Sequence, residues 1–386
     1  MDNELKFDNL QRLVISCGGT GGHFYPGLSI AREFAAHGGE VLFCLSGKER
    51  LRQSEIVSGH GFKCFTFNAP RLPRNPWQAL KFFPMLISAT LKVKQNIVEY
   101  QPDAILAMGS FTSFPAALTA KWTKVPLFLH DGNARIGRAN RFISRWCRFL
   151  GTAFPAVNVQ ACKCPVHCLG MPLRPELMET IFSKDTAIAQ INEKYEAFLN
   201  PDHATILIVG GSLGAATLND VFPRCCLDMP AESIQIIHLT GNDKLEQVRK
   251  IYKETQVKSL ALASSPDMAL FYGAADAVIC RSGGSTVAEL AFFGKYAVLI
   301  PFPHAAEHHQ DDNARFLTRT GGAEMRDNAE CSYEWTLELL WNISANPADY
   351  RAKGEKSYTA AKPDASQALL KAININLSKK QKELNI

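Results

Sequence analysis

The sequence has no apolar run long enough to cross a bilayer: the most hydrophobic stretch, residues 82–87, falls far short of the ~20 residues a spanning helix needs. It also has little charge imbalance. Across 386 residues, 42 Lys+Arg against 37 Asp+Glu leave a net charge of +5, which makes no case for nucleic acid but leaves room for a local basic patch facing anionic lipid. Residues 1–9 are polar and acidic, so no secretory leader is expected. Several nucleotide signatures are missing as well. No glycine loop ends in Gly-Lys-Ser or Gly-Lys-Thr, which excludes a Walker-type P-loop. The first loop reads GGTGGH, and the second expected strand ends Phe43-Cys44-Leu45-Ser46 with no carboxylate. A dinucleotide cofactor needs the other spacing and that acid. No Asp-x-Asp motif closes a strand, so neither metal nor cofactor is expected at a donor site. The 11 cysteines are odd in number and aperiodic, and Cys17, Cys44 and Cys280 sit in apolar runs, as small buried hydrophobes in a reducing cytoplasm. The cluster Cys162, Cys164 and Cys168 admits a metal site or a cysteine-rich loop and strand; its spacing matches no common zinc pattern, which favours the second.

The remaining composition, 46% hydrophobic and 20% charged, is that of a globular chain long enough for two domains. Strand-like and helix-like runs alternate almost throughout, which predicts α/β architecture with parallel sheets. The first series has strands at residues 13–17, 41–45, 63–67, 104–108 and 125–129, with helices from about Pro26 to His37, over 79–100 and up to Trp122. A basic helix to Arg148 follows His130-Asp131-Gly132-Asn133. The pattern breaks at Gly170-Met171-Pro172-Leu173-Arg174-Pro175, where two prolines and a glycine mark a linker. A second series follows, with strands at 205–209, 234–239, 260–263, 277–280 and 297–300. The two halves share one plan of strand, glycine loop and helix, which predicts two Rossmann-like domains, residues 1–170 and 171–362, facing each other across a cleft. The lysine-rich tail, 363–386, reads as a helix packing back on the first domain.

Residues 277–313 carry the most chemistry. A short apolar strand feeds the turn Arg281-Ser282-Gly283-Gly284-Ser285-Thr286 and then a helix. Such a junction gathers unpaired N–H groups and a positive dipole end, a phosphate site. Glu289, on the first turns of that helix, would repel a diphosphate but can accept two hydrogen bonds from a vicinal diol such as ribose. Gln310 and its neighbours, after Pro301, offer donors to sugar hydroxyls. Three further glycine turns, at 18–22, 109–113 and 210–214, each follow a strand. The combination points to a nucleotide-diphosphate-sugar pocket. His23, at the mouth of the first loop, is either a helix-start residue bonded to backbone or a general base, and its position favours the base. Asp131 is the rival base, and His130 reads as structural. Residues 79–100 set apolar side chains among Lys81, Lys92 and Lys94, with Arg71 and Arg74 upstream. That fits a face lying on an anionic membrane or an ordinary helix packed on the sheet.

Taken in order, GGTGGHFYPG, GSFTSFPAALTA, GMPLRPE, GGSLGAATLN, RSGGSTVAEL and PFPHAAEHHQDDNA resemble segments of the MurG family of peripheral membrane glycosyltransferases. The resemblance runs from about Leu13 to Met325. It implies the two-domain GT-B fold. It implies inverting transfer of N-acetylglucosamine (GlcNAc) from UDP-GlcNAc to the muramoyl 4-hydroxyl of lipid I, giving lipid II and UDP in peptidoglycan synthesis. Carried over to this chain, Thr20, Gly21 and Gly22 of the first loop and Ser212, Leu213 and Gly214 of the third contact UDP-GlcNAc. Glu289 holds the ribose, Ser265 offers its backbone to uracil, and Arg174 lies near the nucleotide. Asn133 and Gln310 bind sugar hydroxyls with His309 nearby, and His23 is the candidate base. The implied partners are lipid I, an anionic membrane surface at the cytoplasmic face of the inner membrane, and other cell-wall enzymes. Three departures stand out: Asp131-Gly132 replaces the usual Glu-Gln, Phe111 and Phe114 stand where Tyr and Gly are frequent, and Leu213 replaces Gln. A UDP-GlcNAc 2-epimerase or glycolipid synthase on the same fold, and a non-catalytic nucleotide-sugar-binding subunit, are the alternatives.

Overall fold

Continuous apolar runs become strands buried on both faces, as parallel sheets require. The computed structural model describes residues 6–19, 21–70, 75–211 and 214–384. The chain divides into two compact units, residues 1–174 with 362–386, and 175–361.

In the first unit β1 (Arg12–Gly18) leads into α1 (Gly21–Ala36), then β2 (Glu40–Ser46), α2 (Arg50–Gly59) and β3 (Lys63–Thr66). There follow α3 (Pro76–Tyr100), β4 (Ala104–Ala107), α4 (Phe114–Thr123), β5 (Leu127–Asp131), α5 (Arg138–Ile143), β6 (Leu150–Thr152) and β7 (Val166–Cys168). The sheet order is β3-β2-β1-β4-β5-β6-β7, parallel at every pairing.

The second unit holds α6 (Pro175–Met178), α7 (Lys184–Tyr195), β8 (Ala204–Val209), α8 (Ala216–Cys225), β9 (Ile234–Leu239), α9 (Leu245–Tyr252) and β10 (Lys258–Leu262). It continues through α10 (Met268–Ala274), β11 (Ala277–Cys280), α11 (Gly284–Phe293), β12 (Ala297–Leu299), α12 (His309–Thr318), β13 (Ala323–Met325), α13 (Tyr333–Ala345) and α14 (Pro347–Glu355). Its sheet, also parallel, runs β10-β9-β8-β11-β12-β13. The chain then returns to the first unit as α15 (Ala365–Leu384), whose Leu369, Leu370 and Ile373 are fully buried in a core with Phe24, Leu28 and Phe34 of α1.

The strand order reverses once in each sheet, between β1 and β4 and between β8 and β11. Open α/β sheets bind ligands at the carboxyl ends of the strands flanking such a reversal. The glycine turns after β1 and β4 share the first reversal, and those after β8 and β11 share the second.

The helix expected from about Pro26 begins at Gly21, with Pro26 inside it. Glycine carries no helix signal of its own, so the start was read from the proline. The strand expected over 125–129 lies at Leu127–Asp131, so His130 and Asp131 belong to β5 and are buried. The basic helix expected up to Arg148 closes at Ile143. No helix among the described residues is long and apolar enough to cross a membrane.

Helix α3 has two apolar faces. Ala89, Val93 and Ile97 are buried against the sheet. Trp77, Leu80, Phe83, Ile87 and Leu91, spaced three and four apart, form an exposed stripe, with Trp77 81% and Leu80 73% accessible. Lys81, Lys92 and Lys94 are exposed around it. Arg71 and Arg74 lie outside the described residues.

Candidate active site

At the first reversal the loop after β1 is pinned by backbone. Gly18 has φ +140°, and a Cβ there would lie 2.0 Å from the Ser46 carbonyl oxygen. Gly19 donates its N–H to the same oxygen at 3.1 Å. Thr20 lies outside the described residues, and Gly21 and Gly22 open α1 with exposed backbone. His23 follows, half-buried, with Nδ1 2.9 Å from the Met108 carbonyl oxygen at the end of β4. A carbonyl only accepts, so Nδ1 carries the proton and, in the neutral ring, Nε2 carries the lone pair. Gly109 packs beside the ring: a Cβ there would come within 3.4 Å of His23 Cε1.

Asp131 sits differently. One carboxylate oxygen accepts from Gly137 N–H and from Asn140 Nδ2, both at 2.9 Å; the other accepts from Asn133 N–H at 3.2 Å and Asn133 Nδ2 at 3.4 Å. The carboxylate organises its own loop and sets the half-buried Asn133. His130 donates from Nε2 to the Gly170 carbonyl at 2.9 Å, and burial pushes its pKa down, so the ring is neutral. Gly132 faces Met171, whose Cε would lie 2.8 Å from a Cβ at that position. Arg174, the last residue of this unit, lays its guanidinium over the Tyr25 ring of α1 at 5.2 Å. Cys147, Cys162 and Cys164 pack half-buried against the core below α4 and β6.

At the second reversal, Ser212 and Leu213 lie outside the described residues. Gly214 has φ +71°, and a Cβ there would meet the Thr240 carbonyl oxygen at 2.6 Å. A buried polar chain holds that carbonyl: Asn219 Nδ2 donates to it at 2.8 Å, and Asn219 Oδ1 faces His238 Nε2 at 3.0 Å. The amide oxygen accepts, so His238 Nε2 bears the proton and Nδ1 accepts from the Tyr252 hydroxyl at 2.9 Å. Burial lowers the His238 pKa to about 3.

Helix α11 starts at the turn after β11, with Gly283 as its N-cap residue. Glu289, on its second turn and half-buried, accepts from the hydroxyl of buried Tyr272 at 2.9 Å. Arg281 donates to the carbonyls of Ile300 and Pro301, both at 3.0 Å, joining the ends of β11 and β12. Asn313 Nδ2 donates to the Ser282 carbonyl at 3.0 Å. Gln310 accepts from the Phe302 N–H at 2.8 Å, which fixes its amide and turns its NH2 the other way. His309 Nδ1 donates to the Ala306 carbonyl at 2.9 Å. Just before them, Glu307 and His308 are both left-handed, at φ +52° and +55°, a costly backbone that clusters at functional sites. Ser265 follows β10; its hydroxyl lies 2.8 Å from the Tyr195 hydroxyl and accepts from Asp267 N–H at 3.0 Å, and Lys194 pairs with Asp267 at 2.6 Å.

The structure thus brings Gly21, Gly22, His23, Asp131 and Asn133 to one reversal, and Gly214, Glu289, His309 and Gln310 to the other. Tyr272, Arg281, Asn219, His238 and Tyr25 support them; Tyr272 and His238 were not read at all, while Tyr25, Asn219 and Arg281 stood in quoted motifs, Arg281 as the start of the phosphate turn, without these supporting contacts. Tyr272 lies 17 positions from Glu289 on another helix, and sequence carries no signal for that pairing.

Residues 13–152 match the glycosyltransferase family 28 N-terminal domain, and residues 205–369 match its C-terminal domain. A protein from Colwellia psychrerythraea named UDP-N-acetylglucosamine–N-acetylmuramyl-(pentapeptide) pyrophosphoryl-undecaprenol N-acetylglucosamine transferase is 32% identical over 94% of this chain and 92% of its own. A Dechloromonas aromatica protein of the same name is 33% identical over 92% and 96%. The crystal structure of Acinetobacter baumannii MurG superposes with a TM-score of 0.73 at 24% identity, covering 94% of this chain and 99% of that one. UDP-GlcNAc 2-epimerase from Neisseria meningitidis shares the fold, with a TM-score of 0.66 at 12% identity over 96% and 100%. The chain belongs to the MurG family of glycosyltransferases, carrying both family 28 domains on a GT-B fold.

Proposed function

We propose that this chain is an inverting transferase that moves GlcNAc from UDP-GlcNAc to the 4-hydroxyl of the N-acetylmuramyl unit of lipid I, giving lipid II and UDP. The observation that carries the reading is kinship at 32–33% identity over at least 92% of each chain with relatives named for that transfer. The second unit holds the donor. Its 210–214 loop, including Ser212, Leu213 and Gly214, and the start of α11 meet the diphosphate; Glu289 takes the ribose diol; Ser265 offers backbone to uracil; Gln310 and His309 address the sugar. Thr20, Gly21, Gly22, Asn133 and Arg174 contribute to donor binding from the first unit.

The acceptor is held by the first unit. His23 Nε2 takes the proton of the 4-hydroxyl as that oxygen attacks the anomeric carbon, and the bond to UDP breaks in the same displacement. The proton on Nδ1, held by Met108, supports that polarity. Asp131 acts as a positioning residue for Asn133 and Asn140 rather than as the base, because both its oxygens already accept within their own loop. Charge growing on the leaving diphosphate meets preorganised N–H donors and a helix dipole, the arrangement that contributes most to such reactions. The exposed stripe of α3, with its lysines, rests on the anionic cytoplasmic face of the inner membrane as a peripheral contact.

The test is release of UDP by purified protein. Release that requires both UDP-GlcNAc and a lipid I analogue, with lipid II formed, is the expected result. Conversion of UDP-GlcNAc to its 2-epimer without any acceptor, and with no net UDP release, would identify a 2-epimerase and remove the transferase reading.

A further inference from the structure

A cavity of about 550 Å³ opens in the first unit between α2, the segment after β3 and α3. That volume is in the range of small-molecule sites, roughly 300–1,000 Å³. Its wall mixes apolar Leu51, Phe67, Met85 and Ala89 with polar Thr66, Asn68 and Ser88, and two cations, Arg50 and Lys92, line it as well. The cavity is joined to the His23 loop. Arg50 donates to the Gly47 carbonyl at 3.2 Å, and Gly47 lies against Gly19, where an added Cβ would come within 2.8 Å of the Gly19 nitrogen. On its other side, Met85 is 49% exposed beside the apolar stripe of α3.

A partly apolar cavity lined by two cations, lying between a glycine loop and an exposed apolar helix face, matches an amphiphile with an anionic head and a hydrocarbon tail. We propose that this cavity holds the isoprene units of the lipid acceptor nearest its diphosphate, with Arg50 and Lys92 facing the phosphates; this rests on the transferase reading above. A bulk phospholipid would gain nothing from adjacency to the first glycine loop, whereas the acceptor must present its sugar there and leave its tail in the membrane.

Ser88 lines the cavity from an exposed position on α3, so Ser88→Trp fills it with little threat to folding. The measurement compares KM for a polyprenyl acceptor and for one whose lipid is a short alkyl chain. The wild type should favour the polyprenyl acceptor by about tenfold, the effect of burying roughly two methylene equivalents. Ser88→Trp should erase that preference and leave the KM for UDP-GlcNAc and turnover of the short-alkyl acceptor unchanged. An undiminished chain-length preference in Ser88→Trp would overturn the proposal. So would a variant that keeps the preference but loses acceptor-free binding to anionic vesicles, which marks a membrane-lipid site. Should the wild type turn over neither acceptor, the transferase reading falls, and direct titration with a polyprenyl diphosphate decides the cavity. Binding lost in Ser88→Trp upholds the site, and equal binding by both proteins sinks it.

Discussion

One carbonyl, that of Met108, sets which nitrogen of His23 can take a proton. Replacing His23 by Ala should lower kcat by roughly 10²–10⁴-fold, the usual worth of a positioned base, with donor affinity unchanged. Stopped-assay turnover and UDP titration measured together check it; equal turnover would remove His23 as the base. Glu289 is fixed by Tyr272 so that its carboxylate has one defined orientation. Glu289→Ala should weaken UDP binding by about 1.5–3 kcal/mol, the contribution of hydrogen bonds to a charged group. A dideoxyribose analogue of UDP should bind wild type and variant equally. If the variant weakens both ligands alike, Glu289 is not the ribose contact. Gly132 is the departure with the clearest local partner, since Met171 occupies the direction in which a side chain would grow.

Elements differ in how plainly they announce themselves. Strands β9 and β11 lie where they were expected, and β1 and β8 fall within one residue, because strands buried on both faces read as mostly hydrophobic runs. Helix α2 was missed: only Gln53 and Val57 are buried in it, so it has almost no apolar stripe to read. The three-residue strands β6 and β13 were missed because pairing with a neighbour, not local sequence, makes them strands, whereas β7 falls in the cysteine-rich loop and strand expected over residues 162–168. The glycine turns were legible as site elements. The buried chain Tyr252–His238–Asn219 behind Gly214 was not, since it joins α9, β9 and α8. That chain gives the second unit a pH dependence. The unfolded imidazole titrates near 6.5 and the folded one at about 3. The stability from neutral His238 is therefore complete above about pH 6.5 and is lost as pH falls, by about 1.4 kcal/mol per pH unit. Urea unfolding across that range should show this slope in the wild type and a shallower one in His238→Gln; identical slopes would refute it.

For the whole molecule, the exposed stripe on α3 is the face proposed to meet the membrane. Phe83→Glu with Ile87→Glu should reduce co-sedimentation with anionic vesicles and leave turnover of a detergent-free short-chain acceptor intact. Binding by the wild type should also fall with added salt, because each nearby lysine contributes about 1 kcal/mol through a screened attraction. Vesicle binding unaffected by either change would place the membrane contact elsewhere. The return of the chain through α15 bears on how the protein is made. The core around α1 is missing Leu369, Leu370 and Ile373 until some 190 residues after Arg174 have left the ribosome, so the unit begun first is completed last, after the entire second unit has emerged. During synthesis, the exposed apolar stripe of α3 is thus presented on a body whose interior is still open.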